Sequence, residues 1–142
     1  MVVAVAMTAL LLVGAVVVDI GAALVSRHHA QTVADAAALA GARQLGGAYE
    51  RVTSTIQTHV LSAGDRTRVL RAAAQVADRN RINLATLTLA ELRIGSWNPA
   101  SQSFAATNIG ADALLVRASG QTSTFLAGLL GIRQLNIAAS AT

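Results

Sequence analysis

The segment VVVDIGAALVSRHHAQTVADAAALAGARQL, residues 16–45, decides the fold because it joins an apolar run to an alanine-rich run without a break. No proline occurs before Pro99, and the first glycine pair is Gly46-Gly47. This continuity predicts one helix of about 45 residues, roughly 68 Å long. Average globular helices are far shorter, so such a rod must find packing partners along its length.

The first part of this helix is apolar enough to enter a membrane. Residues 1–18 carry no charge, and after Asp19 the apolar run resumes and lasts until Arg27. A helix of roughly 25 residues reaches about 37 Å, and the hydrocarbon core of a bilayer is about 30 Å thick. No small-residue cleavage site precedes a polar start, so a retained span over about residues 1–26 is favoured over a removed signal peptide. A buried core helix is disfavoured because the remaining chain is too small to enclose it.

Small side chains recur every four residues along the second part of the helix. Such ridges let helix backbones approach closely, in water or in lipid, although abundant alanine explains part of the pattern. The interpretation is a packing region over residues 22–46. The residues predicted to pack against other helices are Gly14, Gly21, Ala22, Ser26, Ala30, Ala34, Ala38, Gly41 and Ala42.

Asp19 interrupts the apolar run, and a carboxylate in lipid is costly unless it is paired or faces protein. Two interpretations stay open. Asp19 either marks the end of the span at the interface or pairs with a cation on a neighbouring copy, for which the α-amine of Met1 is one candidate.

These residues resemble the N-terminal segment of TadG-like and TadE-like Flp pilus-assembly proteins. The matching features are an apolar run, the step Val18-Asp19-Ile20-Gly21, a basic turn, Gln31, and the alanine-rich residues 34–40. The later chain also resembles the short TadG-like domain, in residues 94–97 with Phe104, in residues 113–117 and in residues 125–131. The resemblance implies a component of a tight-adherence type IV pilus, in the bacterial inner membrane or in the filament, with its globular part outside the cytoplasm.

Two departures from that family pattern bear on topology and assembly. The family usually carries Arg and Gly before the apolar run, and here Arg27, His28 and His29 follow it while nothing basic precedes it. Taken alone, this charge bias would place the head in the cytoplasm, whereas a matured or trimmed chain would remove the conflict. Polymerising pilins commonly carry Glu at the fifth position, where this chain has Val5, so Asp19 becomes a candidate substitute.

The remaining chain predicts a small head. Helices are expected over residues 48–62 and 66–80, with Gly64 between them and Asp65 as an N-cap. Leu92 and Ile94 begin a period-two pattern, and strands are expected there and over residues 101–106, 113–118 and 135–141, with a short helix over 122–130. The predicted fold class is α+β: a long N-terminal helix, residues 1–46, and a head of helices packed on an antiparallel sheet, residues 47–142.

Catalytic and metal chemistry find no support in the sequence. The chain has no Cys, and the adjacent His28 and His29 point about 100° apart on a helix, so they do not form an i, i+4 metal pair. No nucleophile elbow, P-loop or dinucleotide fingerprint is present, so neither an enzyme nor a cofactor is expected. The densest basic stretch, a candidate contact for an anionic partner, comprises Arg66, Arg68, Arg71, Arg79 and Arg81. Nearby acids and the lack of stacking aromatics disfavour nucleic acid there and favour a solvated helix face.

The sequence therefore favours a structural, pilin-like subunit that packs through its N-terminal helix against copies of itself or related subunits. One alternative is a membrane-anchored assembly or secretion scaffold that does not enter a filament. Another is a basic head that binds DNA or an anionic surface polymer, for which binding would depend steeply on salt.

Overall fold

The computed structural model describes residues 1–52, 55–80, 87–124, 128 and 131–142. Helix α1 spans Val2–Tyr49, 48 residues in all, which is roughly 72 Å. It passes through Gly46-Gly47, where the sequence predicted its end. Beyond the glycine pair Ala48 is buried, and the Tyr49 hydroxyl donates to the Ala111 carbonyl oxygen at 2.5 Å. These contacts with the head extend the helix past two residues of low helix propensity.

The segment after α1 differs from the predicted helix over residues 48–62. Its described part contains one short 3₁₀ turn, Ile56–Thr58. Val60 forms an antiparallel bridge with Ile109, and the Leu61 N–H donates to the Asn108 carbonyl oxygen at 2.9 Å. The backbone here uses sheet-like hydrogen bonds to a later loop, and these replace the bonds of a helix.

Helix α2 spans Ala63–Asn80 and starts earlier than predicted. Ser62 is its N-cap, and Asp65, predicted for that role, is the third residue of the helix. The Ser62 hydroxyl accepts the Asp65 N–H at 3.1 Å and donates to the Asp65 carboxylate at 2.6 Å. The Ser62 hydroxyl thus satisfies one backbone donor that the first turn leaves unpaired, and its bond to the Asp65 carboxylate holds it in that position.

The contacts of the Asp65 carboxylate predict a dependence of stability on pH. The Ser62 hydroxyl and then the Arg68 guanidinium lower the pKa of Asp65 below its ordinary value. The stabilisation is therefore present at neutral pH and is lost as the pH falls below about 4 through the lowered pKa. In urea titrations followed by the fluorescence of Trp97, the single tryptophan, Asp65→Asn should unfold earlier than wild type at pH 7. The difference in urea midpoint between the variant and wild type should narrow toward pH 3. A difference that stays constant with pH would contradict a stabilising role for the Asp65 carboxylate.

Four strands form one antiparallel sheet in the order β2-β1-β3-β4, as the fold class predicted. Their bounds are β1 Thr88–Asn98, β2 Ser103–Ala106, β3 Ala113–Ser123 and β4 Gln134–Ala141. The Asn98-Pro99 turn is confirmed, because the Asn98 side chain accepts the N–H groups of Ala100 and Ser101 at 3.0 and 3.2 Å. The helix predicted over 122–130 is wrong at its start, where Thr122 and Ser123 pair with β4, and residues 125–127, 129 and 130 lie outside the described residues.

The core lies between one face of the sheet and the two helices. The second half of α1 contributes small residues to it, and β3 contributes Leu114, Val116 and Ala118, all buried. A Cβ on Gly41 would lie 2.1 Å from Leu114 Cδ2 and 3.4 Å from Ala73 Cβ. Glycine is therefore needed where α1 meets both α2 and β3. Helix α2 runs antiparallel to α1, since Arg51 pairs with Asp65 at 3.5 Å and His29 Nε2 lies 3.0 Å from the Asn80 carbonyl oxygen.

Candidate assembly surface on the N-terminal helix

The first half of α1 leaves its apolar side chains uncovered. Every large apolar residue from Val2 to Val25 is exposed, including Leu11, Val13 and Leu24. By length and composition α1 is able to cross a membrane. A continuous exposed apolar surface of this size marks a membrane or protein contact.

From Asp19 onward, one side of this half-helix is covered by the rest of the chain. Its residues recur at helical spacing, and they are Asp19, Ala23, Ser26 and Ala30, each partly or fully buried. The Ser26 hydroxyl donates to Thr122 Oγ1 at 3.3 Å, and this contact joins the end of β3 to the helix. The head therefore reaches along α1 well before the alanine-rich residues.

Asp19 lies on this covered side and is only 5% exposed. The sequence left open whether it marks an interface or pairs with another copy. Its burial within one chain takes it off the exposed surface that a second copy would meet. The hypothesis of a pair with the Met1 α-amine of a neighbour stays a prediction.

The small residues of the repeat lie in two different environments. For some of them this corrects the prediction that they pack against a neighbouring subunit. Ala30, Ala34, Ala38 and Gly41 are buried against the chain's own head, so they pack within the chain and are not presented to a second helix. Ser26 is half-buried against β3. These residues pack within the chain because α2 and the sheet can approach α1 closely only where its side chains are small. The members that remain exposed are Gly14, Gly21, Ala22 and Ala42.

The basic stretch of α2 does not form one free patch in the described part of the chain. Arg68 pairs with Asp65, which also pairs with Arg51. Arg66 and Arg71 are exposed on different sides of the helix, given about 100° per residue. Arg79 lies one residue before Asn80, at the end of α2 nearest His29. Arg81 lies outside the described residues.

A shallow groove of about 590 Å³ opens beside the second half of α1, and sequence reasoning missed it. Leu39 and Trp97 line it, with Asp35 and Asp112 among its acidic groups. The Asp112 carboxylate accepts the backbone N–H of Trp97 at 2.9 Å, and this bond ties the loop before β3 to β1. Burial, and then the charge of Asp112, raises the pKa of Tyr49, so this phenol stays protonated as a hydrogen-bond donor. Leu39 was not recognisable in the sequence because it sits among buried alanines.

The described residues bring together no group of three or more His, Asp or Glu side chains that would suit a metal ion. The acid Glu91 instead contacts two cations on the outer face of the sheet, Arg93 at 2.7 Å and Arg117 at 3.1 Å. Both arginines are exposed to solvent, so these pairs contribute little to stability.

Residues 1–44 match the family model of Flp pilus-assembly TadE/G-like proteins. The match covers α1 as far as Gln44 and supports the resemblance noted in the sequence of this segment. The head lies outside the matched residues. No curated protein and no solved structure matches the chain.

Proposed function

We propose that this chain is a structural, pilin-like subunit of a Tad-type pilus or a related surface filament. It would be held in the bacterial inner membrane before assembly, with its head outside the cytoplasm. The observation that carries the proposal is the first half of α1, whose large apolar residues are all exposed from Val2 to Val25. The family match over residues 1–44 falls on this same helix.

The mechanism is burial of helix surface between subunits. The exposed half of α1 is apolar, so moving it from lipid into a bundle of like helices depends mainly on close packing. Gly14 and Gly21 lie on this half, and a Cβ at either position would meet nothing within 4 Å in the chain. They are free to let the backbone of a neighbouring helix approach, and this leaves assembly to the first half of α1 and folding of the head to the second.

Gly21→Leu tests this packing without disturbing the fold. The substitution adds a side chain where the chain itself has open space, and leucine keeps the segment apolar, so membrane insertion should persist. We expect the amount of the chain in sheared, purified filaments to fall roughly tenfold, which corresponds to losing about 1.4 kcal/mol of packing.

Gly46→Leu is the matched control, because Gly46 also lies on α1 and a Cβ added there would meet nothing within 4 Å, but it lies outside the apolar half. Filament content should be unchanged in this variant. Equal filament content for Gly21→Leu and wild type would contradict packing through this helix. A chain found in membranes and never in filaments would support the alternative, an anchored assembly or secretion scaffold.

A further inference from the structure

If the head stayed clear of the membrane, the part of α1 that projects beyond the head would be too short to span the bilayer core. From Val2 to Val18 the helix projects roughly 26 Å at 1.5 Å per residue, and the head covers Asp19. A bilayer core is about 30 Å thick. The exposed side of α1, in contrast, remains apolar through Ile20, Leu24 and Val25. If α1 spans the bilayer, the membrane surface crosses it between Asp19 and Arg27, beside the head.

The part of the head at this height is the end of the β3–β4 hairpin. Gln31 Nε2 donates to the Ser140 carbonyl oxygen at 3.1 Å, and Ser26 donates to Thr122 at 3.3 Å. The hairpin therefore advances toward the N-terminal half of α1 as it approaches its turn. Near the turn, the Thr124 N–H donates to the Arg133 carbonyl oxygen at 3.1 Å, and the Thr124 hydroxyl donates to the Ile132 carbonyl oxygen.

This end of the head carries the residues that an anionic membrane surface attracts. Ile132 is 51% exposed and Arg133 is exposed beside it. Arg27 follows Ser26 on α1, and Arg79 lies at the end of α2 that contacts His29. Asp78, in the same turn of α2, offsets one of these charges. We define Arg27, Arg79, Ile132 and Arg133 as the membrane-proximal collar.

We propose that the membrane-proximal collar docks the head onto the headgroup layer of an anionic bilayer, with Ile132 inserted beside α1. The proposal rests on the membrane insertion of α1 that the proposed function requires. Ile132 enters the apolar boundary, while the three arginines reach lipid phosphates. The head then shields the buried Asp19 from hydrocarbon, which explains how an acid is tolerated in the apolar run.

Single-cysteine labelling tests the insertion, since the chain has no native Cys. The full chain, carrying an environment-sensitive dye at Ile132→Cys, Ile109→Cys or Val13→Cys, is reconstituted in vesicles of phosphatidylcholine and phosphatidylglycerol. Ile109 is the matched control because it is 57% exposed and lies away from the collar. It bridges Val60, which comes just before the start of α2, whereas Arg79 lies at the other end of α2. Lipids with a quencher near the headgroup should remove the larger part of the fluorescence at Ile132 and leave Ile109 unchanged.

Equal responses at Ile132 and Ile109 would overturn the docking proposal. Val13 reports separately on the span, and quenchers deep in the acyl chain should affect it. If Val13 does not respond, the membrane insertion of α1 fails; if Val13 responds and Ile132 does not, only the docking fails.

The charge requirement is tested with paired variants that remove the same number of arginines. Arg79→Gln with Arg133→Gln should weaken the preference of the Ile132 label for phosphatidylglycerol over pure phosphatidylcholine vesicles, by roughly fivefold for each arginine. Arg66→Gln with Arg71→Gln, in exposed residues outside the collar, should leave it unchanged. Equal quenching with and without phosphatidylglycerol in the unmodified collar would overturn the anionic part of the proposal.

Discussion

Gly41→Leu is expected to destabilise the head by about 3 kcal/mol, because the new side chain overpacks a filled core. A Cβ at this position would already overlap Leu114 Cδ2 at 2.1 Å, and Leu114 is itself buried. The same Cβ would lie 3.4 Å from Ala73 Cβ on α2, so a leucine at this position must fit against both α2 and β3. Urea denaturation of the detergent-solubilised chain, followed by Trp97 fluorescence, measures the loss.

Gly46→Leu is the control for this prediction as well. Its side chain would meet nothing within 4 Å, and leucine has the higher helix propensity, so we expect a gain of roughly 0.5 kcal/mol. The two substitutions insert the same side chain into the same helix five residues apart. Similar stabilities for the two variants would show that the contact between Gly41, Ala73 and Leu114 does not control the packing of the head.

Leu11→Arg combined with Val13→Arg is expected to abolish stable membrane insertion. Both residues lie near the centre of the predicted span, where two arginines cost about 5–7 kcal/mol on insertion scales. The chain should move from the carbonate-resistant membrane fraction to the soluble or aggregated fraction. The change leaves the head intact, because neither side chain is covered by it.

Leu39→Arg combined with Ala42→Arg is the matched control, since both residues are exposed on the same helix beside the head. This variant should remain in the membrane fraction at the wild-type level. Retention of the Leu11→Arg, Val13→Arg chain in membranes would show that α1 is not the anchor, and the proposed subunit and its docked head would then both fail.

The local patterns of the sequence predicted several elements well. The continuous helix, the Asn98-Pro99 turn and the strands marked by period-two alternation are confirmed because each depends on neighbouring residues. The predictions were wrong where a segment distant in sequence supplied the hydrogen bonds or buried the side chains. Tyr49 bonds to Ala111 and carries α1 past its glycine pair, and Leu61 bonds to Asn108 in place of forming a helix.

For the candidate assembly surface, too, the sequence determined some features and tertiary packing determined others. Composition and length alone established an apolar helix able to cross a bilayer, because a run without charges needs no tertiary contact to be apolar. The repeat of small residues also followed from the sequence, but its use did not. Folding assigned Ala30, Ala34, Ala38 and Gly41 to the chain's own core and left Gly14 and Gly21 exposed. A four-residue spacing defines a helix face, and only the three-dimensional packing of α2, the sheet and the β3–β4 hairpin determines what covers that face.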